Sequence, residues 1–434
     1  MDRKRTIKNA KWIIGCKIAQ SLLQFVIGML SARYLGPANF GLINYASAIV
    51  AIVTPIMTLG FPNTLVQEHV ENPDQEGRII GTHLVMNMLS ALACMVGAVT
   101  FTAVANPGEQ MTILVCALYS ITLLAQSLEI IQYWFQARLL SKYSSQAMLY
   151  AYVVLSAYKI WLLVTGKSVY WFALSHAVEY GAAGLLMLLA YKKCGNQKLC
   201  FSFSLAKKMI NKSRYYIVSS MMVTVFGRVA SILLVQMKGE VENGYYAAAV
   251  TCTTIVAFVF SAIIDTARPV VLESRKVSKE AFEKNVSRVY SLITWMSVAQ
   301  SVAFAVFAGL IVRVLYGSAY LPAIPVLRIL VWYTAFSYMG SVRNIWILGE
   351  EKHSVLWKIN LGGAVASILL NACLIPYWGA CGAAVASVLV QLFTNVIMGY
   401  ILPPVRKNNE LLLKGLDPRL MLELISEFMG DKTH

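Results

Sequence analysis

Apolar segments of about 20 residues recur along the whole sequence with short polar loops between them, and that rhythm leaves few folds open. A helix rises 1.5 Å per residue, so about 20 mostly apolar residues cross the roughly 30 Å hydrocarbon core of a bilayer. Twelve such segments can be marked, at 12–33, 40–61, 79–105, 111–131, 148–165, 170–191, 215–237, 245–265, 289–312, 324–347, 358–376 and 381–402. The polar gaps reach about 30 residues at most, too few for an independent soluble core. Composition agrees: 58% of residues are apolar and 13% charged, against about 25% charged in a soluble domain. The basic start MDRKRTIKNAK is followed by a long apolar run without a small-residue cleavage site, so that run is expected to be the first span and not a signal peptide. The expected fold class is therefore all-α integral membrane with about 12 transmembrane helices.

An even number of spans puts both ends of the chain on one side. Loops on that side carry 28 Lys and Arg residues, while the opposite loops carry Lys167 and Lys238, with Arg33 and Arg313 at their edges. Cytoplasmic loops hold the excess of cations. Both termini are thus expected in the cytoplasm, with the chain multi-pass in the cytoplasmic (inner) membrane. The same asymmetry accounts for the net charge of +16 without any nucleic-acid partner. The eight cysteines show neither disulfide nor zinc spacing and read as packed thiols.

The stretch 192–214 holds seven basic residues and no acid, and it divides the spans six and six. The halves resemble each other. Gly36 and Gly41 after span 1 match Gly239 and Gly244 after span 7 at an offset of 203, and Tyr170-Trp171 matches Tyr377-Trp378 at 207. Two six-helix lobes follow, 1–197 and 198–402, with a cytoplasmic tail at 403–434. An even number of spans per half makes the repeats parallel. In the tail, Asp417 precedes apolar residues spaced for a short amphipathic helix.

Charges inside the membrane are the informative positions, since each costs roughly 2.5–3.5 kcal/mol near the bilayer centre. Span 1 carries Lys17, Gln20, Ser21 and Gln24 on one face, and span 7 carries Ser220, Thr224, Arg228 and Ser231 on one face. Two such stripes could line a hydrophilic path, or pack helices through small hydroxyl residues. Lys159 and Glu179 lie near mid-depth and suggest an ion pair. Alternatively Glu179, with His176 one turn earlier, titrates and couples transport to an ion, and Asp265 at the end of span 8 is a further candidate. Glu129, ending span 4, reads as interfacial. Arg328 lies within span 10, and Arg343 near its inner end is expected to snorkel to the surface. Pro55 is expected to kink span 2. Lys17, Lys159, Arg228 and Arg328 together favour an anionic cargo, and guanidinium suits phosphate in particular. No catalytic motif, metal cluster or nucleotide loop is present in the sequence. No catalytic residue, cofactor or enzymatic activity is expected.

Four stretches carry a family resemblance: ARYLGPANFGLINYASA (32–48), YWFQARLLSKYSSQA (133–147), LYGSAYLPAIPVLRIL (315–330) and NACLIPYWGACGAAVASVLVQ (371–391). In order and spacing the chain resembles the polysaccharide transporter, or O-antigen flippase, family of the multidrug/oligosaccharidyl-lipid/polysaccharide exporter superfamily. The resemblance implies two six-helix lobes around a central cavity, and flipping of undecaprenyl-pyrophosphate-linked oligosaccharide to the outer leaflet by alternating access, for O-antigen, capsule or exopolysaccharide. It implies as partners the lipid-linked oligosaccharide, membrane lipids, H+ or Na+ as candidate coupling ion, and a polysaccharide polymerase and chain-length regulator. The competing readings are a cation-coupled multidrug antiporter of the same superfamily and a membrane-embedded polymerase or ligase. The antiporter would favour an acidic lumen. The enzyme would need a long outer loop, and the outer loops here are about 5–11 residues.

Overall fold

The computed structural model describes residues 3–195 and 197–423, with the side chains of 3–14, 16–19, 63 and 258 outside the description. The described residues form helices and no β-strand. In chain order the first nine are α1 (Arg3–Met57), α2 (Leu65–Glu71), α3 (Glu76–Ala105), α4 (Gln110–Gln126), α5 (Gln132–Ala137), α6 (Ser141–Val164), α7 (Val169–Ala173), α8 (Ser175–Cys194) and α9 (Phe203–Lys238). There follow α10 (Glu240–Thr254), α11 (Ala257–Val277), α12 (Lys279–Leu315), α13 (Ala323–Gly349), α14 (Leu356–Leu392), α15 (Met398–Ile401) and α16 (Arg406–Lys414).

Nine helical stretches among the described residues are long and apolar enough to cross a membrane, and α10 with α11 makes a tenth, bent by 47°. Two of the nine are long and are interrupted by a break in the backbone. Gln20–Met57 has 38 residues and His353–Ile401 has 49, or about 57 and 74 Å of helix at 1.5 Å per residue. The chain breaks both, α1 at Gly36 (φ 72°, ψ 171°) and α14 at Gly379 (φ 52°, ψ −129°). Each arm then serves as one crossing, which brings the count to the twelve read from the sequence. Gly239, matched to Gly36 in the sequence repeat, has the same backbone conformation (φ 89°, ψ 175°). That combination of angles suits glycine and few other residues, so the matched pair shares a geometry as well as a residue type. Pro55 does not act as a mid-span hinge: α1 ends two residues beyond it, at Met57.

The chain divides into two compact units, Met1–Gln236 and Met237–His434. The basic stretch 192–214, a break in the sequence, is packed against the first unit. Cys200 N–H donates to Gly77 O (3.2 Å), Ser202 N–H to Thr82 Oγ1 (3.0 Å) and Arg78 to Ser202 Oγ (2.7 Å). Lys212 and Lys208 then pair with the buried Glu68 of α2, at 3.3 and 3.7 Å. At the other end of α9, Gln236 Nε2 donates to Tyr45 Oη (2.7 Å) and Asn106 Oδ1 (2.9 Å), and Asn106 Nδ2 also donates to Tyr45 Oη (2.9 Å). Held at both ends, α9 groups with the six spans before it.

Within the first unit the apolar residues form two clusters at different depths. One gathers Tyr45, Ile49, Leu123, Leu162 and Phe172; the other gathers Phe61, Ile79, Ile131, Trp134 and Met187. α3, α6 and α9 pass from one cluster to the other, and Asn87 of α3 and Ser220, Thr224 and Arg228 of α9 fall at the change-over.

In the second unit an apolar core gathers around Phe260, Tyr290, Trp346, Leu411 and Leu412. Through these last two residues α16 docks on its unit, and Tyr290 Oη donates to Asn408 Oδ1 at 2.9 Å. Asp417 accepts from Arg419 N–H at 2.9 Å, the cap expected of the tail helix; residues 424–434 lie outside the described residues. Glu242 of α10 accepts from Ala380 N–H at 2.7 Å, which caps the second arm of α14 where it restarts after Gly379. Arg343 does not snorkel. Its side chain is buried, and Nη1 donates to Thr394 O (2.7 Å) and Asn395 Oδ1 (2.9 Å). Both acceptors lie in the π-turn Phe393–Ile397, where the widened helix frees a carbonyl that a regular turn would occupy.

His69 of α2 lies outside the spanning segments. Burial holds it neutral, with its pKa lowered from 6.5 to about 4, and the Arg138 charge acts in the same direction. Below pH 6.5 the unfolded chain takes up a proton there that the folded chain refuses. Stability tied to His69 is therefore full above pH 6.5 and falls as the pH drops toward 4, by about 3 kcal/mol in all. Thermal unfolding in detergent between pH 7.5 and 4.5 should show this loss, and His69→Gln should flatten it. Equal slopes for both proteins would count against it.

Candidate functional site

At the change-over between the two apolar clusters of the first unit lies a cavity of about 780 Å³. Its wall draws Gln24, Ser47, Thr54 and Thr58 from α1 and the turn after it, Asn87 from α3, and Tyr119, Thr122 and Gln126 from α4. Glu129, Gln132 and Tyr133 follow where α4 gives way to a 3-10 turn (Ser127–Ile131) and then to α5. From α8 come His176 and Tyr180, and from α9 come Ser220, Thr224, Gly227 and Arg228. Hydroxyls, phenols and amides dominate. Among the described residues the wall holds one cation, Arg228, and one acid, Glu129.

Neither of these charges has an ion-pair partner among the described residues. Arg228 acts electrostatically on Tyr119, and Glu129 and Glu179 repel each other. His176 lines the cavity, and its Nδ1 lies 3.2 Å from Glu179 Oε2. Glu179 itself is set back from the wall, so the imidazole links the cavity to a carboxylate behind it. The His176 ring also packs against Tyr119, with centroids 5.5 Å apart. Two buried polar atoms of the wall, Asn87 Oδ1 and Thr122 Oγ1, have no hydrogen-bond partner. Such atoms are costly unless a ligand or water reaches them.

The sequence-derived candidates divide between the cavity and other places. Gln24, Ser220, Thr224, Arg228 and His176 line it together. Thr224 Oγ1 donates to Ser220 O at 2.9 Å, so the two expected wall hydroxyls share one helix face. Gln20, Ser21 and Ser231 belong to the same helices but lie off the wall. The Lys17 side chain lies outside the described residues. Lys159 is half-buried on α6 and off the wall. It acts electrostatically on His176 and Glu179, but the ion-pair contact of Glu179 comes from His176 and not from Lys159. Arg328 is exposed on α13 in the second unit. Asp265 is 66% exposed and pairs with Arg268 at 3.2 Å on its own helix, as a surface ion pair. No cluster of metal-ligating side chains occurs among the described residues.

Glu129 departs most from the sequence reading. Expected at the membrane interface, it lines the cavity because α4 stops at Gln126 and the 3-10 turn carries the carboxylate inward. The signal was present: Gln126, Glu129 and Tyr133 recur at steps of three and four, which places three polar groups on one side of a span. The phenols of Tyr119, Tyr133 and Tyr180 were also missed, because tyrosine inside an apolar run reads as packing.

A model of the family described as polysaccharide biosynthesis protein matches residues 6–274. An uncharacterized membrane protein of Methanocaldococcus jannaschii is 24% identical over 225 residues, 49% of this chain and 44% of that one. The match thus spans less than half of that relative's length. Among solved structures, the lipid II flippase MurJ in an inward closed conformation aligns with a TM-score of 0.73 at 11% identity, over 96% of this chain and 92% of that one. A multidrug resistance MATE family transporter of the MOP superfamily, inward-facing, aligns with a TM-score of 0.68 at 13% identity, over 91% and 96%. Likenesses at such identity speak for the fold alone, and they place this multi-pass membrane protein in the MATE and MurJ fold. By the match over more than half of its length, the chain belongs to the polysaccharide biosynthesis protein family.

Proposed function

We propose that the protein is a transporter that flips an undecaprenyl-pyrophosphate-linked oligosaccharide across the cytoplasmic membrane by alternating access, with both termini in the cytoplasm. The observation that carries this reading is the cavity wall, where a single unpaired guanidinium stands among hydroxyl, amide and phenol groups. Sugars offer many hydroxyls and weakly polar ring faces, and such a wall can hydrogen-bond the first and pack on the second. The guanidinium supplies a bidentate donor for a phosphate oxygen pair. A lumen carrying many cations is not needed, since the diphosphate is one small part of such a cargo. Residues 1–197 and 198–402 are retained as the two repeats, with α9 leading the second while it packs on the first unit. Glu129 and the His176–Glu179 pair are the groups assigned to coupling, with H+ favoured over Na+ because the imidazole–carboxylate contact can pass a proton. Surface polysaccharide synthesis is the pathway, with a polymerase and a chain-length regulator as downstream partners.

The test is where the lipid-linked repeat unit accumulates. In a deletion strain it should build up on the inner leaflet, unpolymerised, and a plasmid copy should clear it. Build-up on the outer leaflet would point instead to a polymerase or ligase and would overturn the transporter reading. The multidrug antiporter remains the second reading, because an unpaired Glu129 in an aromatic cavity would also suit an organic cation. A deletion strain more susceptible to cationic drugs, with normal surface polysaccharide, would favour it.

A further inference from the structure

Helix α3 carries a buried polar stripe of which the cavity wall uses one end. Glu76, His83 and Asn87 follow one another at steps of seven and four, which places them on one face of the helix. Each is at most 4% exposed. Together the two steps cover about 16 Å of helix. Asn87 opens on the cavity. At the far end Glu76 pairs with Arg138, whose side chain reaches the surface. His69 of α2 is close enough to act electrostatically on His83, and Arg138 acts in turn on His69.

Three buried atoms along this route have no hydrogen-bond partner: Asn87 Oδ1, His83 Nε2 and His69 Nδ1. His83 Nδ1 lies 2.8 Å from Ile79 O. A carbonyl only accepts, so Nδ1 carries the proton and Nε2 is a free acceptor. Phe61 packs edge-on against the ring, with centroids 4.5 Å apart, and holds it in place. Buried polar atoms left dry are costly, and ordered water is what satisfies them. The charged groups near the far end are Glu68 with Lys208 and Lys212, and Glu76 with Arg138. Those carboxylates are already paired with cations, so neither fixes a charge on His69 or His83. An imidazole without a carboxylate partner holds a proton in passing, as a conduit does. His176, in contact with Glu179, is the different case.

We propose that this stripe and His69 form a water-bridged proton passage between the cavity and the cytoplasm. The proposal rests on the proton-coupled transporter reading and adds the route by which the coupling proton leaves. The proton passes from the Glu129 carboxyl, which becomes carboxylate, to water in the cavity. His83 takes it at Nε2 while Nδ1–H stays on Ile79 O, so the ring gains and returns the proton at one nitrogen. Water carries it on to His69 Nδ1 and then to the cytoplasm.

Two measurements on the full-length protein test the passage. The first is solid-state NMR in liposomes with nitrogen-15-labelled histidine. Magnetisation should pass from water protons to His83 Nε2 and His69 Nδ1, with His83→Phe assigning the signal. Dry imidazoles in the wild-type protein would overturn the proposal. The second is chemical rescue. His83→Ala should lower surface polysaccharide by about tenfold or more at a normal membrane level. Added imidazole should restore it, whereas pyrrole, a ring of the same shape without a basic nitrogen, should not. Rescue by pyrrole equal to that by imidazole would make His83 a packing residue and overturn the proposal, as would rescue by neither. His69→Phe should lose output to a similar degree, and His69→Phe with His83→Phe should lose no more than either alone, since the two act in series. Dry imidazoles in a protein that clears inner-leaflet intermediates sink the passage alone. Wet imidazoles in a protein whose deletion causes no inner-leaflet build-up sink the transporter reading alone.

Discussion

Arg228→Ala should lower surface polysaccharide by roughly 10- to 150-fold while the protein stays at its normal level in the membrane. The range follows from the loss of a charged hydrogen bond, about 1.5–3 kcal/mol, converted at 1.4 kcal/mol per tenfold. Normal protein level is expected for a structural reason. Arg228 is exposed to the cavity and pairs with no acid among the described residues, so its removal strands no buried partner. Arg228→Lys keeps the charge but loses the planar fork, and should fall between wild type and alanine. Surface polysaccharide quantified against a membrane immunoblot reads both quantities. Wild-type output from Arg228→Ala at equal protein level would remove the guanidinium from the mechanism.

The second large effect concerns stability, and it separates the two partners of a buried contact. Asn395 accepts from Arg343 and in turn donates to Phe336 O (2.9 Å) and Gln391 Oε1 (2.7 Å). Asn395→Leu leaves a buried guanidinium short of an acceptor, and the expected cost is about 3 kcal/mol. For a compact unit near 200 residues that is roughly 6–12 °C in Tm. Arg343→Met removes the charge itself and leaves neutral acceptors behind, so it should cost distinctly less. The double variant should be milder than the sum of the singles, because the orphaned charge is gone. Thermal unfolding in one detergent at one scan rate decides the order. If Arg343→Met proved the worse of the two, Asn395 would not be the residue that keeps the guanidinium satisfied.

How far the sequence could be read depended on the kind of force involved. The number of crossings was accessible because it follows from hydrophobic length, a property local to each segment. Even the two places where spans run together, Gly36 and Gly379, are marked by glycine and by the residues around it. Arg228, Thr224 and Ser220 were identifiable as one face because helical periodicity is also local. Arg343 was misjudged for the opposite reason. Its depth suggested a side chain long enough to reach water, but the π-turn at 393–397 offered it acceptors from 50 residues away. Nothing in the local sequence announces that turn.

The boundary between compact units shows the same division. Charge and composition mark 192–214 as the break, and by polarity it is one. Only the contacts of Lys208, Lys212 and Ser202 at one end of α9, and of Gln236 at the other, assign that helix to the first unit. Hydropathy alone determined that this chain is a polytopic helical membrane protein, since transfer free energy is summed residue by residue along the chain. The tertiary structure decided which polar groups meet. Glu129 joins Arg228 and His176 in one cavity, while Asp265 goes to a surface pair and Lys159 stays off the wall, because convergence depends on how helices turn and pack against one another.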